Sequence, residues 1–245
     1  MNEKIFQSES EMGEAIAEEI CSLSQMRKNP LICLAAGHSS LSVFRALVKR
    51  KEKGFNFGGY FFVAMDEWIG MNRDDGESCG GFLVKNLLKP LNFTPAQVRL
   101  FNGRAADAKA ECASVEQFIA ERGGIDFMLL GIGMNGHLAL NEPGCGYDEG
   151  AHVTELSETT RKVGQKYFSS SAKPGYSVDL KGGLTLGLKN IRASRIIIVN
   201  VTGAHKTPVV KALRESGHGD MGFPASALKD VENVRFFFDA ACAGS

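Results

Sequence analysis

The sequence predicts an α/β fold in which a doubly wound, mostly parallel sheet carries helices on both faces. Apolar segments of strand length alternate along the chain with helix-length amphipathic segments, as in a series of βαβ units. Several apolar segments are continuous, which is typical of strands covered on both sides. A chain of 245 residues with 44% hydrophobic residues can bury one sizeable core, so we expect a single domain over residues 1–245.

The predicted elements follow one another in a regular order. The segment 8–26 spaces its apolar residues as an amphipathic helix does, with Ser8 or Ser10 as the cap. The pair Gly123-Gly124 ends a helix that begins near residue 105. The other predicted elements are strands at 31–36, 60–65, 98–101, 127–130, 195–201 and 233–238, and helices that contain 41–48, 78–88 and 207–215.

Composition excludes several classes of partner. The 28 basic and 28 acidic residues give a formal net charge of +0, which favours neither a nucleic-acid surface nor a basic membrane patch. The six cysteines are scattered without a CxxC pair, which predicts reduced thiols and no zinc site. The charged N-terminus lacks the apolar core of a signal peptide, and no apolar run approaches the length of a membrane span. We therefore expect a cytoplasmic protein whose basic groups act locally on a small anion.

The densest functional signal lies in residues 126–144, DFMLLGIGMNGHLALNEPG. An apolar strand there opens into glycines and then presents Asn135, His137 and Glu142. Ligands of open α/β sheets bind at the carboxyl ends of the strands, so we expect these side chains at the ligand edge. A neutral imidazole can accept or donate a proton near pH 7, and a nearby carboxylate can fix its tautomer. We predict that His137 and Glu142 form such a pair; the glycine spacing does not match a dinucleotide-binding loop.

Two acidic residues follow the predicted strand 60–65. A carboxylate among apolar neighbours can have its pKa raised toward neutrality, which makes Asp66 the candidate general base. Glu67 has two interpretations, a buried structural carboxylate that binds loop amides or a neighbour that supports catalysis.

Two strand-to-helix junctions are candidate anion sites, because free N–H groups and the helix dipole attract anions there. The first junction contains Gly37, His38, Ser39 and Ser40. On the residues alone, Ser39 is equally well explained as an ordinary helix cap. The second junction follows the strand at 195–201 and carries Lys206 in the first turn. A cation at that position opposes the helix dipole, so Lys206 indicates a bound anion; the alternative is an ordinary exposed lysine.

Residues 146–183 form a polar and irregular connection. The segments Ser169-Ser170-Ser171 and Lys173-Pro174-Gly175 break any period within it. A long connection inside a compact domain is usually a functional lid or a disordered segment. The residues alone leave both alternatives open for about residues 146–183.

The motif GIGMNGHLALNEPG at 131–144 resembles the signature of the glucosamine-6-phosphate deaminase family, which includes the galactosamine-6-phosphate isomerases. The resemblance covers nearly the whole chain. Its other motifs are LAAGHSS at 34–40, MDEWIG at 65–70, GLTLG at 183–187 and the G-x-x-K of 203–206. The resemblance implies an aldose–ketose isomerase that releases ammonia from a 2-amino-2-deoxyhexose 6-phosphate and forms the ketohexose 6-phosphate. It also implies that the reaction requires no cofactor, redox centre or metal.

The resemblance also implies roles for individual residues. Asp66 matches the base that moves a proton from C2 to C1, and His137 matches the residue that opens the pyranose by protonating the ring oxygen. The loops at 37–40 and 203–206 match the phosphate site. The resemblance also implies a mobile lid over about residues 146–183. The family's lid arginine, which helps to hold the substrate phosphate, has its nearest match in Lys166, which keeps the positive charge but lacks the guanidinium fork.

Position 135 departs from the pattern of well-known members, which carry Asp there, although other members read NGH as this chain does. Asparagine does not stabilise an imidazolium by charge, so Glu142 is expected to do more of that work.

Two rival functions remain open from the sequence. A 6-phosphogluconolactonase shares the fold and the GxGxxGH loop but is expected to end that loop in an LFPG-like sequence, where this chain has Glu142. A sugar-phosphate-sensing regulator could dispense with Asp66 and His137 and usually adds a DNA-binding segment. The residues of the motifs DEW, NGHLALNEPG and GLTLGLKNI favour the galactosamine-6-phosphate branch of the family over the glucosamine-6-phosphate branch. Whether the chain forms a homo-oligomer stays open.

Overall fold

The structure is a computed structural model that describes residues 1–169 and 180–244, with only the backbone of 166–169. Its strands are β1 (Glu3–Phe6), β2 (Leu31–Leu34), β3 (Phe61–Val63), β4 (Asp66–Trp68), β5 (Val98–Arg99), β6 (Phe127–Leu130), β7 (His152–Glu155), β8 (Gly182–Thr185), β9 (Ile196–Val201) and β10 (Val234–Asp239). Its α-helices are α1 (Glu9–Met26), α2 (Leu41–Glu52), α3 (Cys79–Leu83), α4 (Ala108–Glu121), α5 (Glu158–Ser169), α6 (Leu188–Arg192), α7 (Thr207–Glu215) and α8 (Ala240–Ala243).

Seven of the described strands form the main sheet, in the order β1-β10-β9-β6-β2-β3-β5. Every neighbouring pair in this sheet is parallel. The chain winds outward from β2 through β3 and β5, then returns to the other side of β2 at β6 and winds outward through β9 and β10. The loops that follow β2 and β6 therefore diverge, which creates a crevice at the switch point. The predicted doubly wound α/β fold is confirmed.

Strands β2 and β6 at the centre of the sheet are buried along their whole length, as their continuous apolar sequences predict. The first helix begins as expected, because the Ser8 hydroxyl accepts a hydrogen bond from the amide of Glu11 at 3.1 Å. Helix α1 also packs closely on α2. A Cβ added at Gly13 would lie 2.7 Å from the carbonyl carbon of Ser42, so only glycine permits this approach.

A second, antiparallel sheet has the order β4-β8-β7 within the described residues. The sequence predicted one strand at 60–65 with the two acids at its carboxyl end. That prediction is wrong, since β3 ends at Val63 and Asp66 begins the separate strand β4. Asp66 is paired in register with Thr185 of the buried strand β8. The acid is therefore fixed by sheet hydrogen bonds and not by a loop.

The connection at 146–183 is more regular than its sequence predicts. It contains β7, α5 and the start of β8. These elements escaped prediction because β7 is short and partly exposed, and because α5 is largely polar. Part of the connection, including the predicted breaks at 170–175, lies outside the described residues. Strand β1 was also missed, since three of its four residues are exposed.

No helix in the described ranges is long and apolar enough to cross a membrane.

Candidate active site

A cavity of about 480 Å³ opens where the main sheet changes direction. The loops after β2 and β6, strand β4, α5 and the start of α7 all contribute to its wall. The predicted site residues that line it are Gly37, His38, Ser39, Asp66, His137 and Lys206. Residues far apart in sequence therefore meet around one space of the size of a small ligand site.

The nearest hydrogen-bond partner of His137 Nδ1 is the side-chain amide of Asn135 and not a carboxylate. Its Nδ1 lies 2.7 Å from Oδ1 of Asn135, whereas Oε2 of Glu142 is 4.0 Å away. The Asn135 amide in turn donates to Oε2 of Glu142 at 2.7 Å. The predicted direct pair of His137 and Glu142 is therefore corrected to a relay in which Asn135 stands between them.

The relay fixes the imidazole tautomer. The Nδ2 group of Asn135 donates to Glu142 and to Oγ of Ser157, the latter at 3.2 Å, so the amide oxygen is the atom that faces His137. A carbonyl oxygen only accepts hydrogen bonds. Nδ1 of His137 must therefore carry the proton in the neutral ring, which leaves Nε2 as a proton acceptor.

The surroundings of His137 favour this neutral form. Burial lowers the pKa of His137, the Glu142 carboxylate opposes the shift, and the positive charge of Lys206 adds to it. Because the usual value is already near 6.5, the ring is neutral at pH 7.

Glycine is required where the loop after β6 passes the imidazole. A Cβ added at Gly133 would lie 2.2 Å from Cε1 of His137. Gly136 has a positive φ of 85°, and a Cβ there would lie 2.4 Å from the ring of Phe223. The glycine-rich sequence thus allows the imidazole of His137 to pack against the backbone of Gly133, and the ring of Phe223 to pack against that of Gly136.

Asp66 points toward the cavity in an apolar setting. Burial raises its pKa to about 6, and a hydrogen bond from the Cys79 side chain partly opposes that shift. A carboxylate with this pKa is ionised at pH 7 yet basic enough to take a proton.

Glu67 turns to the other face of β4, as alternation along a strand requires, and is fully buried. It accepts hydrogen bonds from the amides of Trp68, Cys79 and Gly80 at 2.9, 3.1 and 2.9 Å. Burial raises its pKa to about 7 against these amides. The geometry matches the structural interpretation of Glu67, which ties β4 to the start of α3.

The first anion junction is formed by the loop after β2 and a short 3₁₀ turn, His38–Ser40, that leads into α2. Gly37, His38 and Ser39 line the cavity, but Ser40 does not. Its side chain is fully buried, and its amide already donates to the carbonyl of Gly37 at 3.1 Å. Because the helical turn begins at His38, Ser40 faces the core, which corrects its predicted place among the ligand-binding residues.

Lys206 is partly buried and reaches into the cavity wall. Its Nζ donates to the carbonyl of Ile132 at 2.6 Å, and burial lowers its pKa. The interpretation as an ordinary exposed lysine does not fit this position. Lys166 lies on α5, but its side chain is outside the described residues.

Sequence reasoning missed several contributors to the site. Ser157 and Thr160, at the start of α5, contact the Asn135–His137 relay; their spacing as a helix cap was the available signal. Asn200 is buried in β9 and donates to the carbonyl of Ser39 at 2.7 Å, and a polar residue within an apolar strand could have indicated it. Lys85 lines the cavity from a π-helical turn, and nothing in the local sequence predicts that turn.

In the described part of the chain, no group of three or more His, Cys, Asp and Glu side chains is placed to hold a metal ion.

Comparison with known proteins yields relatives over almost the full length. A glucosamine-6-phosphate deaminase of Lysinibacillus sphaericus is 33% identical over 230 residues, which are 93% of this chain and 94% of the relative. Glucosamine-6-phosphate deaminase 1 of Bacillus subtilis is 30% identical over 238 residues, 97% and 96% of the two chains.

Solved structures agree with these sequence relatives. A monomeric glucosamine-6-phosphate deaminase superposes with a TM-score of 0.92 at 29% identity and covers 100% of this chain and 99% of its own. A 6-phosphogluconolactonase of Leishmania guyanensis, at 19% identity and a TM-score of 0.77 over 98% and 97% of the chains, shares the fold. The model of the family of glucosamine-6-phosphate isomerases and 6-phosphogluconolactonases matches residues 6–236, and the chain belongs to that family.

Proposed function

We propose that the protein is a cofactor-independent glucosamine-6-phosphate deaminase. It converts a 2-amino-2-deoxyhexose 6-phosphate and water to the ketohexose 6-phosphate and ammonia. The observation that carries the proposal is the meeting of a basic carboxylate, a neutral imidazole and a cation, Asp66, His137 and Lys206, around one cavity. The names of the sequence relatives and of the most similar structure described above support it.

The substrate phosphate binds between Lys206 and the loop Gly37–Ser39. The start of the 3₁₀ turn before α2 offers backbone amides and a positive dipole, and the Ser39 hydroxyl adds a donor. Asn200 fixes this loop through the carbonyl of Ser39. An ammonium group that already makes a bond to Ile132 keeps two further N–H donors for the phosphate.

Replacement of Lys206 by Met is expected to raise KM by about 10- to 100-fold, the value of a charge-assisted hydrogen bond. The change in kcat should be much smaller, since the phosphate is remote from C1 and C2. Steady-state kinetics check this, with Lys206→Arg as the control that retains charge. An unchanged KM in Lys206→Met would exclude Lys206 from the phosphate site.

Ring opening begins at His137. Because the neutral ring has no proton on Nε2, it first accepts the proton of the C1 hydroxyl. The C1–O5 bond then breaks, C1 becomes an aldehyde, and the imidazolium returns the proton to O5. The sequence-based expectation that His137 protonates the ring oxygen thus becomes the second half of a relay. Asn135 and, behind it, Glu142 hold the ring during both transfers.

The isomerisation step belongs to Asp66. Its carboxylate removes the proton from C2 of the open-chain aldehyde, and the electrons form the C1–C2 double bond of an enolamine. A water molecule donates a proton to O1, and the hydroxide that this leaves is neutralised by the proton released when the iminium is hydrolysed. Asp66 then delivers a proton to C1, which leaves an iminium at C2. Water adds to C2 and ammonia departs, so the carbonyl ends at C2.

The raised pKa of Asp66 predicts the acidic side of the pH profile. Only the ionised carboxylate is a base, so kcat/KM should begin to fall below pH 6, by about tenfold per pH unit. With an ordinary aspartate the fall would begin only near pH 4. Substrate phosphates also titrate near pH 6. For that reason the profile should be paired with ¹³C NMR titration of labelled aspartate, with Asp66→Asn to assign the signal. A carboxyl that titrates near pH 4 would contradict the assigned setting.

The choice between the two amino sugars is a finer question. The residues of the sequence motifs favour galactosamine 6-phosphate, whereas the relatives described above are named for glucosamine 6-phosphate. We favour glucosamine 6-phosphate as the substrate. The test is ammonia release from both sugars in parallel, with 6-phosphogluconolactone hydrolysis as the control. Lactone hydrolysis without ammonia would indicate a lactonase, and binding without any turnover would indicate a sensor.

Residues 146–183 are proposed as the lid of this site, because α5 contributes Thr159, Thr160, Val163 and Gly164 to the cavity wall. Lys166 stays a predicted phosphate ligand within that lid. The cytoplasmic location stays a prediction from the cysteine pattern.

A further inference from the structure

The imidazole of His137 and three side chains next to it, Asn135, Ser157 and Thr160, form a closed ring of hydrogen bonds. Nδ1 of His137 contacts Oδ1 of Asn135 at 2.7 Å and Oγ1 of Thr160 at 3.2 Å. The Ser157 hydroxyl donates to Oγ1 of Thr160 and accepts from Nδ2 of Asn135, both at 3.2 Å. Each side chain of the ring therefore has two neighbours that restrict its orientation.

The ring joins two separate elements. Asn135 and His137 belong to the loop after β6, whereas Ser157 and Thr160 belong to the start of α5. A further bond crosses the same junction, from the amide of Ser157 to Oε1 of Glu142 at 3.3 Å. Thr160 is only 4% exposed, so water does not compete with its hydroxyl for Nδ1 of His137 while α5 is in this position.

The hydroxyl of Thr160 has a defined electrostatic effect. The Nδ1 proton of His137 points at the Asn135 oxygen, and Oγ1 of Thr160 is a second acceptor beside it. Acceptors at Nδ1 stabilise the imidazolium more than the neutral ring. Since Asn135 brings no negative charge to this position, the second acceptor contributes a larger share of the stabilisation than it would beside an aspartate.

We propose that Thr160, oriented by Ser157, is a positioning residue for His137, and that the first turn of α5 thereby couples the placement of this helix over the cavity to the proton affinity of the catalytic imidazole. The coupling deepens the proposed deaminase function and rests on it for its catalytic consequence. When α5 is in place, His137 is held in the orientation and tautomer that opening of the pyranose requires. Displacement of α5 removes Ser157 and Thr160 together from the ring of hydrogen bonds.

The first test replaces Thr160 with Val, which keeps the shape and removes the hydroxyl, and with Ser, which keeps the hydroxyl. In Thr160→Val, kcat is expected to fall roughly five- to tenfold, as for one lost hydrogen bond, with KM near the wild-type value. The pKa of His137, followed by ¹⁵N NMR of labelled histidine and assigned with His137→Asn, should fall. Thr160→Ser should restore both. Thr154→Val, in the neighbouring strand β7, is the control for loss of a threonine hydroxyl outside the cavity.

Other charges around His137 remain the same in these variants, so they do not account for a shift. Those groups are Glu142, Lys206 and, around the same cavity, His38, Asp66, Glu77 and Lys85. The histidine titration needs no substrate. A shifted pKa in a protein that releases no ammonia would retain the coupling and reject the proposed function, and ammonia release with an unshifted pKa would do the reverse.

A second measurement does not depend on how the Thr160 variants fold. In Asn135→Ala the hydroxyl of Ser157 loses the donor Nδ2 of Asn135 and keeps only the amide of Thr160. Because the Ser157 side chain is then less restricted, amide hydrogen exchange at Ser157 and Thr160 should become faster than in the wild type. Unchanged exchange there would overturn the coupling. So would a Thr160→Ser variant that is as impaired as Thr160→Val, because the hydroxyl would then not be the active feature.

Discussion

Asp66→Asn is expected to lower kcat by about 10³- to 10⁴-fold, the upper range for removal of a general base. Asparagine has nearly the same shape but does not accept the C2 proton, so neither proton transfer of the isomerisation occurs. Substrate affinity should change little, because the proposed phosphate site at Lys206 and the loop Gly37–Ser39 is not altered. Steady-state assays give kcat, and calorimetry on the inactive variant gives the dissociation constant.

The neighbouring acid is the matched control. Glu67 is buried and bonded to three backbone amides, so Glu67→Gln should lower the melting temperature while most turnover is retained. If Glu67→Gln lost turnover as completely as Asp66→Asn without loss of stability, the division of roles between the two acids would be wrong. Normal turnover in Asp66→Asn would remove Asp66 from the mechanism.

Gly133→Ala is expected to lower kcat about 100-fold, the cost of misplacing a catalytic group by roughly 1 Å. The added methyl would lie 2.2 to 2.3 Å from three atoms of the His137 ring, which must therefore move. Movement of the ring breaks its contacts with Asn135 and Thr160. The phosphate site is untouched, so KM should stay near that of the wild type.

Gly217→Ala is the control for adding a methyl to a glycine loop. A Cβ at Gly217 meets nothing within 4 Å, and its φ lies outside the left-handed region, so this variant should behave as the wild type. A Gly133→Ala enzyme with full activity would show that the imidazole does not need its observed position.

The fold could be predicted because its central strands are encoded locally. The apolar segments 31–36 and 127–130 are continuous, the first between Pro30 and Gly37 and the second between Asp126 and Gly131, and such patterns depend on nearby residues alone. Strand β4 could not be predicted in this way. Its three residues include two acids, and they become a strand only because the buried strand β8, more than 100 residues later, pairs with them.

The candidate site also has a part that is encoded locally and a part that is not. Asp66 and His137 follow the apolar strands β3 and β6, and Lys206 precedes α7. Such junctions are where sequence alone predicts the ligand edge of the sheet. The partners of His137 depend on tertiary structure, since Thr160 reaches Nδ1 only because α5 lies over the cavity. Ser40 shows the opposite error. Its hydroxyl fits an anion-binding motif in sequence, but the turn that begins at His38 directs it into the core.

The most direct test of the proposed function is product identification by NMR after incubation of the purified protein with glucosamine 6-phosphate. We predict ketohexose 6-phosphate and ammonia in equal amounts, with both lost in Asp66→Asn. Unchanged glucosamine 6-phosphate, with or without hydrolysis of 6-phosphogluconolactone, would contradict the assignment of the cavity to isomerisation and deamination. Product formation that persists in Asp66→Asn would contradict the assigned role of Asp66.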